Sequence, residues 1–121
     1  MRAVERGHTD VVKVLLDRGA DLHEQDQTGF TVLMMAAVHG HAATIQALLD
    51  RGAEINAQHN SGWTALMMAA NKGHTAVVRT LLARGADLRH KDGNDTTALT
   101  IATQAGYAEV AQLLRQAGAT E

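Results

Sequence analysis

Gly40-His-Ala-Ala-Thr-Ile-Gln-Ala-Leu-Leu-Asp-Arg-Gly-Ala53 returns as Gly73-His-Thr-Ala-Val-Val-Arg-Thr-Leu-Leu-Ala-Arg-Gly-Ala86, displaced by 33 residues. The landmarks of this stretch continue in both directions. Gly7-His8 and Gly106-Tyr107 extend the Gly-His series, while Arg18-Gly19-Ala20 and Gly118-Ala119 extend the Arg-Gly-Ala series. Thr31, Thr64 and Thr97 form a third series with the same step, followed by Leu33, Leu66 and Leu99. Independent series with one shared period establish an internal repeat, and a period of this size marks a stacked array.

Units that open at Asp26, His59 and Asp92 divide the chain into 1–25, 26–58, 59–91 and 92–121. The first lacks its opening 8 residues and the last is 3 residues short, so the 121 residues leave nothing for a linker or second domain. Within a unit the local chemistry is consistent. Thr31 is an N-cap whose hydroxyl accepts from a free N–H of the first turn. A short helix is expected from Val32 to His39, ended by Gly40, because the left-handed residue after a helix carries no penalty when it is glycine. A second helix is expected over roughly 42–51, with Ile45, Leu48 and Leu49 on one face. Gly52 ends it, and Arg51 lies near the negative end of the helix dipole. The stretch from Ala53 to Trp63 has no helical period and holds Asn56, Asn60, Ser61 and Gly62, which predicts an extended loop or short hairpin. One such helix pair cannot bury its own apolar face, so stacking on neighbours must do it. Ala36, Ala69 and Ala102 recur where helices must approach closely, and Leu15-Leu16, Leu48-Leu49 and Leu81-Leu82 fill the space between.

Composition narrows the function classes. Thirteen acidic and eleven basic residues leave a formal charge of −2, which supplies no general attraction to phosphate backbones or anionic lipid. Cysteine is absent, which excludes disulfides, thiolate metal sites and cysteine nucleophiles. No apolar run approaches a membrane span or signal-peptide core. With Phe30, Trp63 and Tyr107 the only aromatics, the core must be aliphatic and alanine-rich.

The strings Thr31-Val-Leu-Met-Met-Ala36, Thr64-Ala-Leu-Met-Met-Ala69 and Thr97-Ala-Leu-Thr-Ile-Ala102 match the Thr-Pro-Leu-His-x-Ala signature of the ankyrin repeats, which also have this period. Asp26-Gln-Thr-Gly29 keeps the family's opening turn; His59-Asn-Ser-Gly62 and Asp92-Gly-Asn-Asp95 alter it. Gly19-Ala-Asp-Leu-His23, Gly52-Ala-Glu-Ile-Asn56 and Gly85-Ala-Asp-Leu-Arg89 are similar to its closing pattern. The resemblance covers essentially the whole chain. It implies an all-α solenoid of stacked helix-turn-helix units with short projecting β-hairpins or loops. Two departures stand out: the family's proline is Val32, Ala65 and Ala98, and its histidine is Met34, Met67 and Thr100. Both lower the expected stability.

The chemistry-bearing residues favour structure over catalysis. His8, His41 and His74 occupy the Gly-His position, where an imidazole is expected to bond loop backbone. His39 and His41 lack the i, i+4 spacing of a helical metal site, and His23, His59 and His90 do not share one register. No metal or other cofactor is expected. Ser61, the only serine, has no nucleophile-elbow context, and no Gly-rich phosphate loop precedes a helix. Arg18, Arg51 and Arg84 stand three residues before Asp21, Glu54 and Asp87, and read as solvated local ion pairs. Met35 and Met68 read as inter-repeat packing; Met34 and Met67 read the same way, with partial accessibility as the alternative. The last unit reads as a polar cap, with Arg115 replacing Leu49 and Leu82, Thr103 replacing Ala37 and Ala70, and Gln112 and Gln116 adding polarity. Arg2 stands where Met35 and Met68 stand, a cap-like change in the first unit.

By resemblance, the partner-facing concave surface comprises hairpin tips and first helices. In this chain those positions are Gln27, Thr28, Phe30, Val38 and His39; then Asn60, Ser61, Trp63, Asn71 and Lys72; then Gly93, Asn94, Thr96, Gln104 and Ala105. Phe30 and Trp63 share one register and are expected side by side as a partly exposed pair that anchors the partner. The expected function is non-catalytic binding of a protein partner by a monomer in the cytoplasm, with neither nucleic acid nor membrane involved. The alternative is a regulatory or targeting segment of a larger enzyme or effector, which the missing opening hairpin of unit one favours.

Overall fold

The computed structural model describes residues 25–119. Expectations for Arg2, His8, Leu15, Leu16, Arg18, Asp21 and His23 therefore lie outside the described residues. Within them run α1 (Val32–His39), α2 (Ala42–Asp50), α3 (Ala65–Lys72), α4 (Thr75–Ala83), α5 (Ala98–Ala105) and α6 (Ala108–Gln116). Among the described residues the array is all-α, with two helices to each of repeats two to four.

The first helix of each described repeat begins and ends in the same way, whereas α2, α4 and α6 start at His41, His74 and Tyr107 without a side-chain cap. The hydroxyls of Thr31, Thr64 and Thr97 accept from the N–H groups of Met34, Met67 and Thr100 at 3.2, 3.4 and 3.3 Å. At the other end of α1, Gly40 has φ of 76° and its N–H donates to Ala37, while His41 N–H donates to Ala36. This pairing satisfies carbonyls that a helix end would leave open, and only glycine adopts the required angle without strain. α2 closes in the same way through Gly52 and Ala53. Between these signals there is room for only 8 or 9 residues, which fixes the helix lengths.

The helices form two layers. α1, α3 and α5 pack in one row, α2, α4 and α6 in the other, and each repeat's pair spans the two. α3 lies between α1 and α5 and against α4, so Ala65 through Ala70 are all buried. Its alanines permit that close approach: Ala36, Ala69 and Ala102 have no exposed surface at all. Leu48, Leu81 and Leu114 fill the space between layers. Thr103, Gln112, Arg115 and Gln116 are exposed on repeat four, where the preceding repeats carry apolar or buried residues at the first and third of these positions.

One expectation, that of local ion pairs, needs correction, and two others are resolved between the alternatives they held. Met34 and Met67 are each 1% exposed, so partial accessibility is excluded. The Met34 thioether also receives the Thr31 N–H at 3.4 Å, taking the part that a carboxylate or amide plays in a capping box. The projections between helix pairs are turns rather than laddered hairpins, with one isolated bridge between Gln25 and Thr31 among the described residues. For Arg84 the pairing runs between repeats: it meets Asp50 at 2.9 Å, while Asp87 Oδ1 accepts from the N–H of Arg89.

Candidate functional site

The turn tips are organised by the residue that opens each repeat. Asp26 Oδ1 accepts from Thr28 N at 2.8 Å, Thr28 Oγ1 at 2.6 Å and Phe30 N at 3.1 Å. Asp92 Oδ1 does the same for Asn94 N at 2.8 Å and Thr96 N at 2.9 Å. At the altered second tip, His59 Nδ1 accepts from Ser61 N at 3.2 Å, so an imidazole nitrogen replaces the carboxylate oxygen. Hydrogen bonds of this kind favour the charged carboxylate. Asp26 is held below the ordinary range chiefly by the Thr28 hydroxyl, then by the Phe30 and Thr28 N–H groups. Asp92 is held down chiefly by Thr96 N–H, against an opposing desolvation, with help from Asn94 N–H and the Trp63 indole.

The tips are then tied into a row. Asn60 N donates to Thr28 O at 2.8 Å and its side-chain amide to Gln27 O at 3.3 Å. Gly93 N donates to Ser61 O at 3.1 Å, and His90 Nε2 to Gly62 O at 2.8 Å. Gln27, Thr28, Asn60, Ser61, Gly93 and Asn94 are all exposed along this row. Part of Asn60's hydrogen-bonding capacity is thus committed to holding neighbouring tips together.

Phe30 and Trp63 are half-buried and pack against the core. Each also engages the opening residue of the following repeat. The Phe30 ring meets the His59 ring edge-on, with centroids 6.2 Å apart, and Trp63 Nε1 donates to Asp92 Oδ2 at 2.8 Å. Beside the partner-anchoring role expected of them, both rings thus join one repeat to the next.

A depression of about 370 Å³ lies between the third and fourth repeats. Trp63 and Asn71 line it from repeat three, and Asn94, Thr96, Gln104 and Ala105 from repeat four. All six belong to the surface expected from sequence. Asp92 and Ile101 complete the lining and were not among the expected residues. Asp92 read only as a turn opener, yet a signal was available: it follows Trp63 by the same 29 positions that separate His59 from Phe30. Lys72 is exposed beside Asn71 without lining the depression, and Val38 and His39 belong to the preceding repeat. His39 is exposed, its ring stacked on that of His41 with centroids 6.1 Å apart. A larger depression of about 650 Å³ lies on repeat four around Tyr107, Gln112 and Arg115, and contains none of the expected residues.

The Gly-His histidine of the third repeat bonds backbone, but at the end of a helix of the preceding repeat rather than in a loop. His74 Nε2 donates to Val38 O at 2.8 Å, and its ring lies over Gly40, where an added Cβ would stand 2.8 Å from Nδ1. Among the described residues no cluster of three or more His, Asp or Glu is placed to hold a metal ion. No described helix is long and apolar enough to cross a membrane.

No curated protein matches the chain. The family description "Ankyrin repeats (3 copies)" matches residues 1–92 and again 57–120, which together cover nearly all of it. Ankyrin repeats are generally protein–protein interaction modules and typically non-catalytic. With the 33-residue period, the Thr-capped and Gly-terminated helix pairs and the two-layer stack, the match leads to one conclusion: the chain belongs to the ankyrin-repeat family.

Proposed function

We propose that this chain binds a protein partner, without catalysis, on the face formed by its turn tips and by α1, α3 and α5. The observation that carries this reading is the depression between repeats three and four, where Trp63, Asn71, Asn94, Thr96, Gln104 and Ala105 converge. Aromatic side chains supply much of the energy at interfaces, and amides supply adaptable hydrogen bonds around them. The reading includes a monomer that works in the cytoplasm without cofactor, nucleic acid or membrane. The formal charge of −2 supports the exclusion of nucleic acid, since phosphate binding needs a concentration of Lys and Arg.

The test compares proteins captured from the source cell's lysate by the wild-type chain with those captured by three variants. Asn71→Arg and Gln104→Arg place a bulky charge in the depression, while Gln46→Arg places one on exposed surface of α2. A partner retained by wild type and Gln46→Arg but lost with the first two variants is the expected result. Partners held equally by all four chains would overturn the assignment of the face.

A further inference from the structure

Resting on that reading, we infer that the depression between repeats three and four receives an arginine side chain presented by the partner. The indole N–H of Trp63 is already given to Asp92, so Trp63 presents ring carbon rather than a donor. A carboxylate has about four lone-pair positions. On Asp92, Oδ1 accepts from Asn94 N and Thr96 N, and Oδ2 accepts once, from the indole. One position on Oδ2 stays open beside the aromatic wall.

Charge points the same way. Asp92 is the one ionic residue in the lining, and the turn N–H groups that bond it keep it ionised. Lys72 and Lys91 adjoin lining residues in sequence, but neither lines the depression. An apolar partner side chain would bury the amides of Asn71 and Gln104 without partners and leave the open position on Asp92 Oδ2 unfilled, which is unfavourable. An acidic one would be repelled. A cation fits, and the wall selects which cation. A guanidinium is planar, so it can stack on an indole while its forked N–H groups reach several acceptors at once. Asp92 Oδ2 and the amide oxygens of Gln104 and Asn71 supply those acceptors. A lysine ammonium could pair with Asp92 but would leave the flat ring surface less well covered.

Random linear peptides displayed on phage and selected against the full chain test this. The expected outcome is enrichment of arginine at one peptide position. A synthetic peptide of the selected sequence should shift the emission of Trp63, the chain's only tryptophan. Replacing its arginine by citrulline should weaken binding about tenfold or more, since a charge-assisted hydrogen bond and the cation–π contact are both lost. Replacement by lysine should cost less. Asp92→Asn, which keeps an oxygen for the turn while removing the charge, should reduce the preference for arginine over citrulline to the part that the cation–π contact supplies. Peptides that shift Trp63 emission without arginine enrichment would overturn this inference and leave the partner-binding face standing. Selected peptides that leave the emission unmoved and tolerate Gln104→Arg, or a library that yields no binder, would count against both.

Discussion

Trp63 Nε1 donates to Asp92 Oδ2 at 2.8 Å, joining the third repeat to the opening residue of the fourth. One repeat earlier, Phe30 touches His59 through the same pair of positions. In repeats two and three the residue before the capping threonine thus contributes to stacking as well as to the candidate face. Trp63→Ala should therefore lower stability by about 2 kcal/mol, less than the roughly 3–5 expected for a fully buried tryptophan. Trp63→Phe keeps most of the packing and loses the hydrogen bond, for a cost of about 1 kcal/mol. Urea midpoints of the two variants check the order; equal midpoints for wild type and Trp63→Ala would remove the stacking role.

Gly73 and Gly106 have similar backbone angles, φ of 72° and 82°, but different surroundings. A Cβ on Gly73 would stand 2.6 Å from the Tyr107 ring, whereas one on Gly106 would meet nothing within 4 Å. Both alanine variants should lose about 1 kcal/mol to the left-handed angle. Gly73→Ala should lose roughly 1–3 kcal/mol more, because the ring must be displaced. The difference between the two melting points isolates the contact between repeats.

Asp95 is the one non-glycine residue with positive φ among those described, at 64°. Its counterparts Gly29 and Gly62 both stand at 87°. The angle is imposed by the turn, in which Asp95 N donates to Asp92 O just as Gly29 N donates to Asp26 O. Asp95→Gly should stabilise the chain by about 0.5 kcal/mol, the relief of strain exceeding the added backbone entropy of the unfolded state. The reverse change, Gly62→Asp, should destabilise, since a Cβ there would lie 3.0 Å from Asp92 Cα. Calorimetric scans of both variants should move in opposite directions.

Asp26 and Asp92 both have carboxyls below the ordinary range when folded. A depressed folded pKa gives stability that is fully present above the unfolded value, about 3.9, and lost as pH falls through the folded value. The urea midpoint should hold steady from neutral pH to about 5 and decline below 4, as far as these two groups govern it. Asp26→Asn with Asp92→Asn, which preserves an acceptor oxygen at each turn, should flatten that decline. An unchanged acid slope in the double variant would assign the loss to other groups.

Much of the array was legible in the sequence because its signals are local. Thr31, Thr64 and Thr97 cap helices through bonds made three residues away, and Gly40, Gly73 and Gly106 end them through angles set by their own backbone. The candidate surface was legible only in part. Register placed Trp63, Asn71, Asn94, Thr96, Gln104 and Ala105 on one face, since residues one period apart occupy equivalent positions in a stack. It missed Asp92, whose motif explains one carboxylate oxygen and is silent about the other.

Period, helix boundaries and repeat class were determined by the sequence alone, for the physical reason that caps and turns draw on neighbours along the chain. Partner choice was decided only by the tertiary structure. Arg84 pairs with Asp50 of the previous repeat rather than with Asp87, three residues away, and His74 reaches Val38 O instead of its own loop. Met34 and Met67, at a position polar in the family's signature, are buried because the facing helices close over them. Trp63 finds Asp92 because stacking sets successive turn tips side by side, bonded to one another. Those contacts depend on how one repeat sits on the next, and that geometry arises only when the apolar faces of several units are buried together.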